Sequence, residues 1–188
     1  MDNKGSWCQV WGPNDKAIAF NPLEPTVDMI DIHTIARALS NQCRFIGHVR
    51  EFFSVAQHCV YVSQFCDEND ALWGLLHDAS EAYLVDIPRP QKRWEGFSGY
   101  MELEKKIMAV ICEKFGLDTT MPDSVVEADD LILQWEFRDN LQPKIVEIFT
   151  DLRGNLEDSY APLIYSTPKE AEREFLQRFN MLMRRGRT

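Results

Sequence analysis

Apolar side chains recur at intervals of three and four residues along most of this chain, the period of a helix with one buried face. Ile32, Ile35, Ala36 and Leu39 predict a short amphipathic helix, with Asp31 in place to cap it. Phe52, Val55, Cys59 and Val62 predict a second between Phe52 and Gln64. Leu72, Leu75, Leu76, Ala79, Ala82 and Tyr83 predict a third over 70–84, stopped by Pro88 and Pro90. Leu103, Ile107, Val110, Ile111 and Phe115 mark a longer one, with Gly116 where a left-handed terminating residue belongs. Pro122-Asp123-Ser124 opens the next, which should run to about Leu141 before Pro143. Residues 150–166 read as loop. Thr167-Pro168 starts a last helix whose apolar face is Ala171, Phe175, Phe179 and Leu182.

The beginning of the chain differs. Trp7–Val10 and Ala17–Phe20 are short β-like runs separated by Gly12-Pro13-Asn14-Asp15, a dense turn signal, so a small hairpin is expected before a Pro22/Pro25 connector. The expected architecture is all-α with this β decoration, in a single domain over 1–188. It divides into a β-like extension (1–27), a helical core (28–142), and a loop with the last helix (143–188).

Composition narrows the function classes. A chain of 188 residues, 45% hydrophobic and 11% aromatic, is long enough to bury a core without staples. Its longest apolar runs fall far short of a membrane span, so no membrane partner is expected. A net charge of −10 repels a phosphate backbone, which argues against a nucleic-acid polymer as partner. A small anionic substrate is not excluded, because it feels a local pocket and any metal there more than the remote surface. The basic end Arg184-Arg185-Gly186-Arg187 reads as a solvated helix terminus. The five cysteines form no Cys-x-x-Cys and follow a polar start, which suggests a reducing cytoplasm.

Four histidines are present: His33, His48, His58 and His77. His77 adjoins Asp78, with Glu81 three residues on, inside the expected 70–84 helix; there Asp78 and His77 would each neighbour Glu81. The surrounding stripe is apolar, and burying such a group costs several kcal/mol unless it is compensated. A bound cation is the simplest compensation, against a plainer reading of one hydrogen-bonded histidine and two solvated acids. His58 lies at the edge of the preceding apolar stripe, and Asp129 lies in the helix begun at Asp123. Two imidazoles and two carboxylates suit Mn, Fe, Co or Zn, with Mg at the margin. His33 reads as a surface residue, His48 as a packed or hydrogen-bonded loop residue, Glu136 as a salt-bridging helix residue and Cys59 as core.

His58, then His77-Asp78, then Asp129 resembles the signature of the HD-domain metal-dependent phosphohydrolases. The likeness extends over about residues 28 to 140. It includes Ala38-Leu-Ser-Asn-Gln-Cys-Arg-Phe-Ile-Gly-His48, Phe53-Ser-Val-Ala-Gln-His58, Leu75-Leu-His-Asp-Ala-Ser-Glu-Ala-Tyr83 and Asp86-Ile-Pro-Arg-Pro-Gln-Lys92. These stretches are similar to the small deoxynucleotide phosphohydrolases of bacteria and phages. The resemblance implies an HD-domain helical bundle in which His58, His77, Asp78 and Asp129 bind the metal, with Asp130 as a register competitor for Asp129. It makes Glu81 the acid/base residue and has Asp86 hold substrate or a second metal. Arg44 and Lys92 would grip phosphate. Phe45 would pack on the sugar where a 2′-hydroxyl needs room, selecting deoxyribose. Relatives often carry lysine three residues before the last aspartate; here Val126 stands in that place.

The implied reaction is phosphoester hydrolysis assisted by a divalent metal (Zn, Co, Mn or Mg), with water as the nucleophile. No Walker loop, Gly-x-Ser-x-Gly or activated Cys-His pair points to another chemistry. The segment Arg44 to His48 is most similar to the phage-type dATP triphosphohydrolases, which yield deoxyadenosine; adenine preference would need a tight apolar base pocket including Ile46. The alternatives are a 5′-deoxynucleotidase acting on deoxynucleoside monophosphates, or a catalytically silent nucleotide-binding module. The resemblance further implies a homo-oligomer.

Overall fold

The computed structural model describes residues 7–12, 14, 16–141 and 161–185. Strand β1 (Cys8–Trp11) pairs antiparallel with β2 (Ala17–Phe20), with Val10 opposite Ile18. The hairpin begins one residue later than expected. Its turn is closed by the Gly12 amide donating to the Lys16 carbonyl at 2.8 Å, with Asn14 left-handed at φ 58°. Val10 and Phe20 face the helices, and Phe20 stacks on Tyr83 at 4.4 Å between ring centroids.

Helix α1 (Ile32–Asn41) starts at Asp31, whose Oδ1 accepts from the His33 and Thr34 amides at 3.0 and 2.9 Å. Helix α2 (Val55–Phe65) starts later than the periodicity predicts. Ser54 and Gln57 form a reciprocal capping box, so Phe52 lies outside the helix and Phe53 takes the core position. The expected 70–84 helix is broken: α3 (Ala71–Leu76) ends before His77, and a 3₁₀ turn (Ala79–Ala82) follows. A tighter turn with a repeat of three still sends Ala79 and Tyr83 inward, which is why the apolar pattern runs through the break.

Beyond Pro88 comes the short α4 (Arg89–Lys92), then α5 (Ser98–Phe115), stopped by Gly116 at φ 69° as expected. Helix α6 (Asp123–Asn140) matches its predicted span. The expected loop falls mostly outside the described residues; 161–166 have no regular structure. Helix α7 (Pro168–Arg185) buries Ala171, Phe175, Phe179 and Leu182, the predicted face. The fold is therefore mostly helical with one small N-terminal sheet. Among the described residues no helix is long and apolar enough to cross a membrane.

α7 packs on α1, α2 and α3, while α6 lies across α2 and α3. A second apolar group, centred on Trp135, Ile132, Phe53 and Trp73, joins α6 to this layer. The close approach of α2 and α3 depends on Gly74, where a Cβ would meet Cys66 Sγ at 2.8 Å and Ser63 Cα at 3.1 Å. That approach brings the α2 histidine to the end of α3.

Candidate metal centre

Where α3 stops, His77 turns inward and its Nδ1 lies 2.8 Å from the Gly74 carbonyl oxygen. A carbonyl only accepts, so the proton is on Nδ1 and Nε2 carries a lone pair. His58, fully buried on α2, places Nδ1 2.7 Å from Glu136 Oε1. Arg44 and His58 hold the Glu136 carboxyl below its usual range despite burial, so it is ionised and accepts the Nδ1 proton. His58 Nε2 therefore also presents a lone pair, 3.3 Å from His77 Nε2.

Two facing lone pairs are untenable without something positive between or beside them. Asp129 Oδ1 stands 3.1 Å from His58 Nε2, and Asp78 Oδ2 stands 3.2 Å from His77 Nε2. Ligand atoms each about 2.0–2.1 Å from one tetrahedral ion lie about 3.3 Å apart, so the spacing suits a shared divalent cation. The ligand atoms of His58, His77 and Asp129 all lie within 4.8 Å of one another, as do those of Cys59, His77 and Asp78. The buried His/Asp/Cys groups can thus hold a metal ion. Burial pushes the Cys59 thiol up to about 11, which keeps it a thiol and leaves the imidazoles and carboxylates as the better donors.

Without a cation, protons take its place. Burial lowers the affinity of both imidazoles for a proton, and Arg44 adds to this at His58. Glu136 and Asp129 reverse it at His58, and Asp78 reverses it strongly at His77, so both end above the ordinary histidine value. The imidazoles in turn hold Asp78 and Asp129 well below the usual carboxylate range. Asp129, not Asp130, faces the histidines; Asp130 pairs with Arg89 at 2.7 Å.

The remaining expected residues surround this cluster. Glu81 is buried, with Oε1 3.1 Å from Lys92 Nζ and Oε2 without a hydrogen-bond partner. Burial, then Asp78 and Asp86, push its pKa well above the ordinary value, against Lys92 and Arg44. Asp86 is likewise raised by burial, although Arg44 opposes the shift. Lys92 also reaches Glu104 Oε1 at 2.7 Å. Arg44 donates to Glu136 through Nη2 at 2.9 Å and Nε at 3.2 Å, and its Nη1 lies 3.9 Å from Asp78.

Phe45 and Ile46 are both left-handed (φ 54° and 57°), conformations costing on the order of 1–2 kcal/mol each. This turn keeps Arg44 inside while Phe45 packs beside Phe137, 5.8 Å between centroids. Ile46 is 58% exposed and so forms no closed apolar base pocket here. His48 is also exposed, so of the two expected arrangements the packed one does not hold; its amide donates to the Phe45 carbonyl at 3.0 Å. His33 is at the surface as expected.

Two residues at the site were not assigned a role from the sequence, and a third does more than was expected of it. Gln42 clamps the loop that carries both further acids: its Nε2 donates to the Glu81 carbonyl at 3.0 Å, and its Oε1 accepts from the Asp86 amide at 2.9 Å. Glu136 does form the expected salt bridge, but it also fixes the His58 tautomer. An ionisable residue between Trp135 and Phe137 was the available signal. Arg89 binds both Asp129 and Asp130. It stands between two prolines, which reads locally only as a turn.

No family model matches the chain. It is similar to YfdR, an uncharacterized protein of Escherichia coli K12, with 43% identity over 155 residues, 82% of this chain and 85% of that protein. An uncharacterized protein of Rhodobacter capsulatus, RCAP_rcc00048, is 34% identical over 115 residues, 56% of this chain and 58% of its own length. The site thus belongs to a helical protein with a buried cluster able to hold a metal. The chain is a member of the YfdR family.

Proposed function

We propose that this protein is an HD-domain metal-dependent phosphohydrolase of 2′-deoxynucleotides, with dATP, cleaved to deoxyadenosine and triphosphate, as its first substrate. The observation that carries the reading is the pair of Nε2 atoms 3.3 Å apart, each beside an aspartate oxygen. A divalent cation held by His58, His77, Asp78 and Asp129 supplies Lewis acidity toward a phosphoryl oxygen and lowers the pKa of a water. Arg44 and Lys92, both close to the cluster, offset charge on the phosphates. Burial and the neighbouring Asp78 and Asp86 raise the Glu81 pKa, which favours a proton on its unpartnered Oε2 for transfer to the leaving 5′-oxygen. Phe45, held rigidly by its left-handed turn, packs against the sugar.

The preference for dATP rests on the likeness of the Arg44–His48 segment. The exposure of Ile46 favours the second reading, a 5′-deoxynucleotidase indifferent to the base. Product analysis with Mn, Co, Zn or Mg against all deoxynucleoside mono- and triphosphates and ATP separates them. Deoxyadenosine from dATP, with ATP and dGTP untouched, supports the first; phosphate from monophosphates of several bases supports the second. Nucleotide binding without turnover would make the protein a silent binding module.

A further inference from the structure

Arg89 is the outermost of three cations around the cluster: the Arg44 side chain is 11% exposed, that of Lys92 18% and that of Arg89 44%. Lys92 is on the same short helix, three residues later, so the two share a face. The Arg89 guanidinium spans Asp129 Oδ2 and Asp130 Oδ1, while Asp129 turns its other oxygen to His58 Nε2. One carboxylate is thus shared between the candidate metal position and a half-exposed arginine.

We propose that Arg89 is an anion-binding residue controlled by the metal: a cation on Asp129 loosens its hold on Arg89, which then receives the outer phosphates of a nucleoside triphosphate. This rests on the metal-dependent reading given above and adds to it a residue that distinguishes triphosphates from monophosphates. The guanidinium and the dication compete for the same carboxylate and repel one another, so each weakens the other's interaction by the same factor. Arg44 and Lys92, deeper and firmly paired, serve the phosphate next to the sugar. Phosphates beyond it lead outward, where Arg89 alone of the three is half exposed. Its planar fork suits two phosphate oxygens as it now suits two carboxylates. Flanking Pro88 and Pro90 fix the backbone, so the side chain changes partner without movement of the loop.

The test is calorimetry on the full chain with Arg89→Ala and Arg89→Lys. Mn²⁺ is titrated first; dATP and dAMP are then titrated with Mn²⁺ in excess over nucleotide, in each case in a Glu81→Ala background so that binding is read without turnover. Arg89→Ala is expected to bind Mn²⁺ about tenfold more tightly, because a competing cation is gone, and to lose about tenfold or more in dATP affinity relative to dAMP. A merely structural arginine would not tighten metal binding when removed. Arg89→Lys, which keeps the charge but cannot span both carboxylates, should fall between. Unchanged or weaker Mn²⁺ binding in both variants, or equal losses for dATP and dAMP, would overturn the proposal while leaving the metal-dependent reading intact. Failure of the unsubstituted protein to bind Mn²⁺, Co²⁺ or Zn²⁺ at all would overturn that reading, and this proposal with it.

Discussion

Replacing Glu136 by glutamine tests whether one buried carboxylate both stabilises the fold and arms the metal centre. Glu136 has no exposed surface and accepts from His58 Nδ1 at 2.7 Å and from Arg44 Nη2 and Nε at 2.9 and 3.2 Å. Glutamine is nearly isosteric but has one acceptor oxygen where two are used. If its oxygen serves Arg44, its amide faces His58 Nδ1, the imidazole proton must move to Nε2, and the lone pair offered to a metal is lost. If its oxygen serves His58, the amide opposes the Arg44 donors. Breaking a buried ion pair on one side costs about 3–5 kcal/mol. Loss of a partner that orients a metal-binding histidine weakens metal affinity by about 10–100-fold. Urea unfolding of the metal-free Glu136→Gln protein should show the first loss and Mn²⁺ titration the second. Glu68→Gln, which removes one exposed ion pair with Arg185, should cost no more than about 1 kcal/mol. A destabilisation by Glu136→Gln as small as that control, with metal affinity unchanged, would refute the reasoning.

Three further outcomes are expected. Glu81→Ala should retain Mn²⁺ affinity while losing about 10²–10⁴-fold in turnover; full activity, read as nucleoside released, would remove Glu81 from the proton transfer. Metal affinity should fall as pH drops, because the imidazoles are held above the ordinary value of 6.5 and must be neutral to bind. The sign reverses for the metal-free chain: its imidazolium–carboxylate pairing is fully present below about pH 6.5 and lost as pH rises through the raised values. The rise in melting temperature caused by Zn²⁺ should therefore grow between about pH 5.5 and 8, and a flat profile would contradict the protonation states assigned. Phe175→Ala, at a fully buried position of α7 facing α1, α2 and α3, should cost about 3–5 kcal/mol in urea unfolding; a loss under 1 kcal/mol would show that α7 does not close the core.

The hairpin, the later helices and the inward face of α7 were legible because each has a local signature: alternation with a turn, a cap, or an apolar stripe. The start of α2 was legible too, in Ser54-Val-Ala-Gln57, but the apolar stripe drew the boundary back to Phe52. Capping chemistry sets the helix start here, and the apolar residue before it packs as Phe53. The break after Leu76 was hidden because a 3₁₀ turn preserves inward spacing across it. His58, His77, Asp78 and Asp129 were found through their motif and do converge. Gln42, Glu136 and Arg89 act on groups about 40 to 90 residues away in sequence, and no local period reports such pairings.

The break in the helix and the charge at the site have a common logic. In a continuous helix, His77 and Asp78 would point about 100° apart, and only one could face His58. His77 keeps helical angles, Asp78 departs from them at φ −102° and ψ 14°, and Asp78 Oδ2 reaches 3.2 Å from His77 and 3.9 Å from His58. The same change concentrates acids: Asp78, Glu81, Asp86, Asp129 and Glu136, with Asp130 and Glu104 beside them, outnumber Arg44, Arg89 and Lys92. An excess of this kind in a buried site must be met by protons or by a cation. The raised pKa of Glu81 and the raised imidazole values are the proton answer. The His58 and His77 Nε2 atoms are where a cation could sit, and binding there would require those two nitrogens to lose their protons. In the proposed hydrolysis Glu81, tied to Lys92 and raised in pKa, would be the proton donor to the alkoxide leaving group.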